Sequence, residues 1–303
     1  MKKIMILVLV MAMAFSLVAC ANNNAAPSES PAETAAEETV APAETEAPAD
    51  AEPTDAPADA PADESWTKIE EKGSFILGFD AGFAPMGYKD ENGEFVGFDI
   101  DLAKEVASRL GLEIVYQPID WDSKVLELDA GNIDVIWNGL TITEDRKKEI
   151  LFSDPYMNNR QVIVVGADSG IASKADLAGK IVAAQVESSA MEAIRADAAV
   201  MDTFGELIES PDYVQALTEL KNGTVDAVVV DEMTARYYVL KDDPDSYTIL
   251  DEDFGEEQYG IGFRLKDQAF RDKIQETLDA MIADGTAAKI SQNWFGGDVI
   301  IAK

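Results

Sequence analysis

The stretch Asn138-Gly-Leu-Thr-Ile-Thr-Glu-Asp-Arg146 sets an arginine three residues after Thr143, a helix N-cap candidate that follows a short apolar strand. A helix N-terminus carries partial positive charge, and that place in a capping box usually holds Glu or Gln. A guanidinium there adds charge and two parallel donors to a spot that already attracts anions, and its fork matches a carboxylate. Thr141, on the adjoining turn, offers a hydroxyl. The stretch Val182-Ala-Ala-Gln-Val-Glu-Ser-Ser-Ala-Met-Glu192 reads as the end of a strand over 181–185, a turn, and a helix with Ser189-x-x-Glu192 as capping box. Hydroxyls at Ser188 and Ser189 beside free backbone N–H groups suit an anion. Asp231 ends the apolar strand of Asp226-Ala-Val-Val-Val-Asp-Glu232, where a carboxylate needs a cationic partner or costs several kcal/mol. One cationic corner and one anionic corner describe a receptor for a zwitterion, and an α-amino acid has that shape.

Each stretch also has a plainer reading. Arg146 could pair with Asp145 or Glu149 nearby in the chain, a surface pair worth ~0–1 kcal/mol. Ser188 and Ser189 could only cap their helix, and Asp231 could cap the segment 232–240 that comes after it. The elements around these residues favour a shared site. From Trp66 onward, strand and helix patterns alternate, which argues for an open α/β sheet. Residues 74–79 and 113–119 read as strands, and Asn92-Gly93 is a hairpin turn signal. Asp99 reads as the cap of a helix over 100–110, whose Leu102, Ala103, Val106 and Leu110 share one face and which Gly111 stops. An internal repeat is visible: Glu127-Leu-Asp-Ala-Gly-Asn-Ile-Asp-Val-Ile136 and Glu219-Leu-Lys-Asn-Gly-Thr-Val-Asp-Ala-Val228 lie 92 residues apart. Both read as helix end, glycine stop and buried strand, at a domain-sized period. Two related lobes would each offer strand ends to a common cleft, where ligands of open α/β sheets bind.

Composition bounds the chemistry. There is no histidine and one cysteine among 303 residues, which removes Ser-His-Asp and Cys-His catalysis and the usual zinc sites. The first twenty residues have a basic start, an apolar run over 4–19 and the ending Leu17-Val18-Ala19-Cys20, the pattern of a secretory signal. The run is shorter than the ~20 residues that span a bilayer. Its ending resembles a bacterial lipobox, which implies cleavage before Cys20 and a lipid, palmitate included, on that cysteine. Residues 21–65 are nearly all Ala, Pro, Glu, Asp, Ser and Thr, with twelve acids and no base. Such a segment cannot bury enough apolar surface to order itself, and reads as a disordered, extended spacer. The net charge of −34 makes a surface that repels nucleic acid and does not bind anionic membrane directly.

The segments 93–111, 131–156, 176–190, 223–232 and 281–296 together resemble the polar amino-acid solute-binding proteins of ABC importers, extracellular solute-binding proteins of family 3. The resemblance covers nearly all of Trp66 to Lys303. It implies an α/β chain of the periplasmic binding protein type II fold, with two lobes joined by a two-strand hinge. It places crossings near Tyr156–Arg160 and Glu256–Gly260. Residues 66–157 and 258–303 would then form lobe 1 and residues 158–257 lobe 2, with the C-terminal helix packed on lobe 1. By the same resemblance Thr141 and Arg146, helped by Ser189, hold a ligand carboxylate, and Asp231 holds the ammonium. Phe83 and Trp121 wall the side-chain pocket, Asp80 reaches toward the ligand side chain, and Asn138 and Gly139 offer polar contacts. Glu187 departs from the family's frequent glycine.

The implied protein is a lipid-anchored, monomeric receptor on the outer face of the cytoplasmic membrane. It has no enzyme activity and needs no cofactor or metal. Its partners are an L-amino acid and an ABC permease. The acidic Asp80 and the two aromatic walls favour a cationic or amide side chain such as Arg, Lys, His or Gln. A sensory domain without transport, or a dehydratase-type enzyme on the same fold, are the competing readings.

Overall fold

The computed structural model describes residues 62–242 and 244–302. The signal segment expected over 1–20, Cys20, and the expected linker up to residue 61 lie outside the described residues. The last residues assigned to that linker belong to the fold. Helix α1 (Ser65–Lys72) starts there, and Asp63 Oδ2 and Ser65 Oγ accept the N–H groups of Ala269 and Phe270 at 2.5 and 3.0 Å.

Strand β1 (Ser74–Phe79) leads into a small antiparallel sheet of β2 (Gly82–Phe83), β3 (Gly87–Lys89) and β4 (Phe95–Val96), whose turn sets Gly93 at φ +87°. Helix α2 (Phe98–Leu110) comes next, then β5 (Glu113–Pro118), α3 (Lys124–Asp129) and β6 (Val135–Thr141). Both β5 and β6 run parallel to β1, so each connection must cross over, and the helices make the crossings. Leu102, Ala103 and Val106 of α2 are fully buried, and Gly111 ends the helix at φ +68°.

Asp99 is not the cap of α2. The helix begins at Phe98 with Gly97 before it, and Asp99 is fully buried. It stands at i relative to Leu102, Ala103 and Val106, so it extends the inward stripe rather than closing the helix end. Its Oδ2 accepts Gly139 N–H at 2.7 Å, and its Oδ1 accepts the Tyr156 hydroxyl at 2.8 Å. Burial pushes this carboxyl up to about 7, against the downward pull of those two donors.

After β7 (Ile150–Phe152) and β8 (Met157–Gly166), the pattern of the first half returns. Strand β9 (Ile181–Gln185), helices α4 (Ser189–Ala196) and α5 (Ala198–Met201), strand β10 (Glu206–Ser210), helix α6 (Tyr213–Lys221) and strand β11 (Ala227–Asp231) again place two strands parallel to the first of the three. Helix α7 (Glu232–Asp242), the 18-residue β12 (Tyr247–Arg264), α8 (Gln268–Ala283) and α9 (Thr286–Phe295) complete the chain. The strand order is β10-β9-β11-β8-β12-β6-β1-β5. The antiparallel β8 and β12 thus lie between two like-ordered triplets. The segments expected to cross between lobes are paired side by side, from Glu256 against Arg160 to Tyr259 against Met157. Helices α1, α2, α8 and α9 pack together beside the first triplet.

The repeat seen in the sequence has a common geometry. Gly131 and Gly223 take φ +77° and +71°, which glycine adopts without a Cβ penalty. Asp134 N–H reaches Ile76 O at 2.8 Å while its carboxylate accepts Ile76 N–H at 3.0 Å. Asp226 does the same to Ile181, at 2.8 Å in each direction. Each aspartate clamps the first strand of its own half.

Candidate functional site

Two pairs of parallel strands, β1 with β6 from one triplet and β9 with β11 from the other, end at one cavity. All ten residues expected to touch a ligand line it: Asp80, Phe83, Trp121, Asn138, Gly139, Thr141, Arg146, Ser188, Ser189 and Asp231. Gln185 and Tyr213 line it as well, and sequence reasoning missed both.

The cationic corner is built on the 146–148 turn. The helix expected after Thr143 is a single 3₁₀ turn, with Thr143 Oγ1 accepting Arg146 N–H at 3.2 Å. A helix dipole therefore adds little, and the guanidinium itself carries the charge. Arg146 is 7% exposed and does not pair with Asp145 or Glu149. Its Nη1 donates to Thr141 O at 3.1 Å, and its Nη2 donates to Glu187 O at 3.1 Å and pairs with Glu192 at 3.0 Å. The arginine thus bridges the two triplets. Lys124, also buried, donates to Glu187 O at 3.0 Å and to Trp121 O at 3.1 Å. Burial first, and the charge of Arg146 next, bring its ammonium down to about 8.

Glu187 keeps the left-handed backbone, φ +53°, that glycine would adopt more readily. Its side chain points into the exposed shell while its carbonyl receives both cations, so Glu187 is not a wall of the cavity. The capping serine of α4 is Ser188, which accepts Met191 N–H at 3.2 Å, not Ser189 as expected. That leaves Ser189 Oγ free to meet Thr141 Oγ1 at 2.9 Å.

The opposite corner is anionic. Asp231 Oδ1 accepts Asn159 Nδ2 at 2.7 Å, Gln161 Nε2 at 2.9 Å and the Tyr259 hydroxyl at 2.5 Å. It is 3% exposed, and among the described residues no lysine or arginine pairs with it. Burial, and then the neighbouring Glu257 carboxylate, push its pKa up. Glu257 itself lies 2.9 Å from Thr141 Oγ1. The sequence carried one signal for Glu257: it alternates with Tyr259 along β12, so both face the same side.

The side-chain end of the cavity is aromatic with one carboxylate. Phe83 and Tyr213 pack with ring centroids 5.7 Å apart, and the buried Tyr213 hydroxyl has no hydrogen-bond partner among the described residues. Asp80 Oδ1 accepts Gly82 N–H and Oδ2 accepts Gln185 Nε2, both at 2.7 Å, and burial raises its pKa. Asn138 turns its Oδ1 to Asp80 N–H at 3.0 Å, so it holds the end of β1 in place. Gly139, at φ +59°, has no room for a side chain, since a Cβ would sit 2.7 Å from Phe83. Sequence reasoning passed over Gln185 because it is the last residue of a buried strand. It passed over Tyr213 because an aromatic at a helix start reads as core.

Comparison with known proteins places this geometry. Residues 75–297 match the model of the bacterial extracellular solute-binding proteins, family 3. The L-cystine-binding protein TcyJ of Escherichia coli K12 is 30% identical over 241 residues, covering 78% of this chain and 89% of its own. The arginine-binding extracellular protein ArtP of Bacillus subtilis is 34% identical over 229 residues, 75% of this chain and 88% of its own. Among solved structures, an ABC uptake transporter substrate-binding protein from Streptococcus pneumoniae with bound histidine aligns with a TM-score of 0.77. It is 36% identical and covers 80% of this chain and 99% of its own. The fold is the two-lobed α/β architecture of type II periplasmic binding proteins.

Proposed function

The chain belongs to the bacterial extracellular solute-binding proteins of family 3, amino-acid-binding components of ABC importers, and on that premise we propose that it is a lipid-anchored receptor for one L-amino acid. The observation that carries this reading is the pairing of opposite charges across one cavity, Arg146 at one corner and Asp231 at the other. The ligand carboxylate meets the remaining guanidinium donors of Arg146 and the hydroxyls of Thr141 and Ser189. The ligand ammonium meets Asp231. The side chain lies between Phe83, Trp121 and Tyr213 and ends at Asp80 and Gln185, a setting for a cationic or amide group. The relatives' printed ligands, cystine, arginine and histidine, are all polar amino acids, which supports the class.

Residues 66–157 and 258–303 form one lobe and residues 158–257 the other, with the paired segments of β8 and β12 as hinge. Closure brings Arg146 onto Glu187 and Glu192 and removes water from the ion pairs, which strengthens them. The closed receptor then delivers its ligand to the permease. Cys20 carries the lipid, and binding without turnover is its activity.

A thermal-shift screen of the twenty amino acids and cystine tests this, since a bound ligand raises stability by RT ln(1 + [L]/Kd). One or a few polar amino acids should raise Tm in the parent and not in Arg146→Ala or Asp231→Ala. An equal response in both variants would remove the site. Cys20→Ser should release the protein from cells into the medium, and retention at the membrane would contradict the anchor.

A further inference from the structure

Asp231 does not stand alone at the anionic corner. Glu257 Oε1 accepts from Asn159 Nδ2 at 2.7 Å and from Gln161 Nε2 at 2.8 Å, the same two amides that donate to Asp231. Each amide NH₂ has two hydrogens and bridges the two carboxylates with them, Gln161 Nε2 lying also 3.1 Å from Ser189 Oγ. The orientation of the amides is fixed by this, because turning either one would set its carbonyl against a carboxylate. The carbonyl oxygens Asn159 Oδ1 and Gln161 Oε1 are buried and have no hydrogen-bond partner among the described residues. The corner therefore holds two carboxylates and two orphaned acceptors, and no resident cation among the described residues. Arg160, between the two amides on β8, points to the other face, where it binds Glu232 at 2.8 Å and Asp253 at 3.1 Å. The other polar groups around the pair are Tyr259 from β12, Tyr213 from α6, Thr141 from β6 and Ser189 from α4. Arg146 is engaged beyond Thr141 with Glu187 and Glu192.

Resting on the amino-acid reading above, we infer that Glu257 is a specificity-determining positioning residue, which acts through Asp231, Thr141 and Ser189 to make the site accept only ligands with a free cationic amino group. Two carboxylates that share donors cannot both ionise cheaply without a positive charge beside them. Unliganded, Asp231 keeps a proton because it is buried beside the Glu257 carboxylate, and an ammonium, with three donors and one charge, replaces it. A metal ion is a poorer occupant, because the amide groups turn N–H donors toward the carboxylates. Glu257 also sits on the crossing strand, so occupancy of the ammonium end is felt where β12 pairs with β8.

The test uses calorimetry on the parent and Glu257→Gln, with L-arginine, L-histidine and their des-amino counterparts, 5-guanidinopentanoate and imidazolepropionate. In the parent, amino-acid binding at pH 7 should release protons, seen as a heat that varies with the buffer's ionisation enthalpy. Glu257→Gln should lose that release, bind the amino acid roughly tenfold or more weakly, and bind the des-amino analogue no worse than the parent. The parent measurement stands whether or not the variant folds. Binding of the amino acid without proton release, or equal weakening of both ligands in the variant, would overturn the inference and leave the receptor reading intact. Failure of the parent to bind any standard amino acid or cystine would overturn both.

Discussion

The triplet β5-β1-β6 and the triplet β10-β9-β11 are two copies of one plan that do opposite electrostatic work. In each, a helix end, a left-handed glycine and a clamping aspartate deliver a buried strand to the cavity. The clamps are alike in their backbone bonds, to Ile76 in one half and Ile181 in the other. The two halves diverge at the residues that end each buried strand or come soon after it. The first half presents Asp80, the aromatics and, after a single turn, Arg146. The second presents Gln185, a capping serine and then a free one, and Asp231. The shared hydrogen bonds fix where strands end, and only the residues at those ends need change to turn one corner cationic and the other anionic.

The halves also differ in how they hold their strand ends. The first uses a buried carboxyl, Asp99, to pin the left-handed backbone at Gly139 near the end of β6. With its pKa raised to about 7 from an ordinary carboxylate value, Asp99 binds its proton more tightly folded than unfolded. Its contribution to stability is present at low pH and is lost as pH rises from about 4 to about 7. Relative to Asp99→Asn, the parent should therefore lose stability across that window, by as much as ~4 kcal/mol at ~1.36 kcal/mol per pKa unit, and no further above it. Parallel urea titrations at pH 4.5, 6 and 8 measure it. A constant difference between the two proteins would mean that Asp99 is not the buried acid of this half.

Removing the charge at either corner sharpens the contrast next. Asp231→Asn and Arg146→Gln should each weaken amino-acid binding by roughly 2–3 kcal/mol, the worth of a charge-assisted bond. Des-amino analogues should be hurt by Arg146→Gln but not by Asp231→Asn. If both substitutions weaken these analogues alike, the assignment of corners fails.

A stability comparison tests the clamps. Asp134 also pairs with Arg264 at 3.0 Å and Lys72 at 3.1 Å, whereas Asp226 faces only Lys180, at 3.9 Å, among the described residues. Asp134→Ala should cost about 2–3 kcal/mol and Asp226→Ala about 1 kcal/mol. Chemical denaturation of both variants would show the order, and a reversed order would break the claim that the first half is the more firmly tied. In the same denaturation experiment Gly139→Ala should fall between these two, with ~1–2 kcal/mol lost from the left-handed backbone and the contact with Phe83.

Much of this plan was legible in the chain, and the omissions have physical causes. Polar residues that interrupt or end apolar runs, such as Asn138, Thr141 and Asp231, stand out because burial is costly for them. The spacing of the Glu127 and Glu219 segments disclosed the repeated strand ends. Asp99 was misjudged because an aspartate at a helix start looks the same whether it caps from outside or extends the inward stripe. Glu257 lies in an acidic run where only alternation with Tyr259 hinted at its direction. The amides Asn159 and Gln161 gain their role from pairing with a strand about a hundred residues away, which no local pattern encodes.

The most direct test of the central claim is a set of calorimetric titrations with the amino acid that shifts Tm most, its methyl ester and its des-amino counterpart. Opposite charges at the two corners predict that each truncated ligand binds at least roughly tenfold more weakly than the intact zwitterion. An analogue lacking either charge that binds as tightly as the amino acid would contradict it.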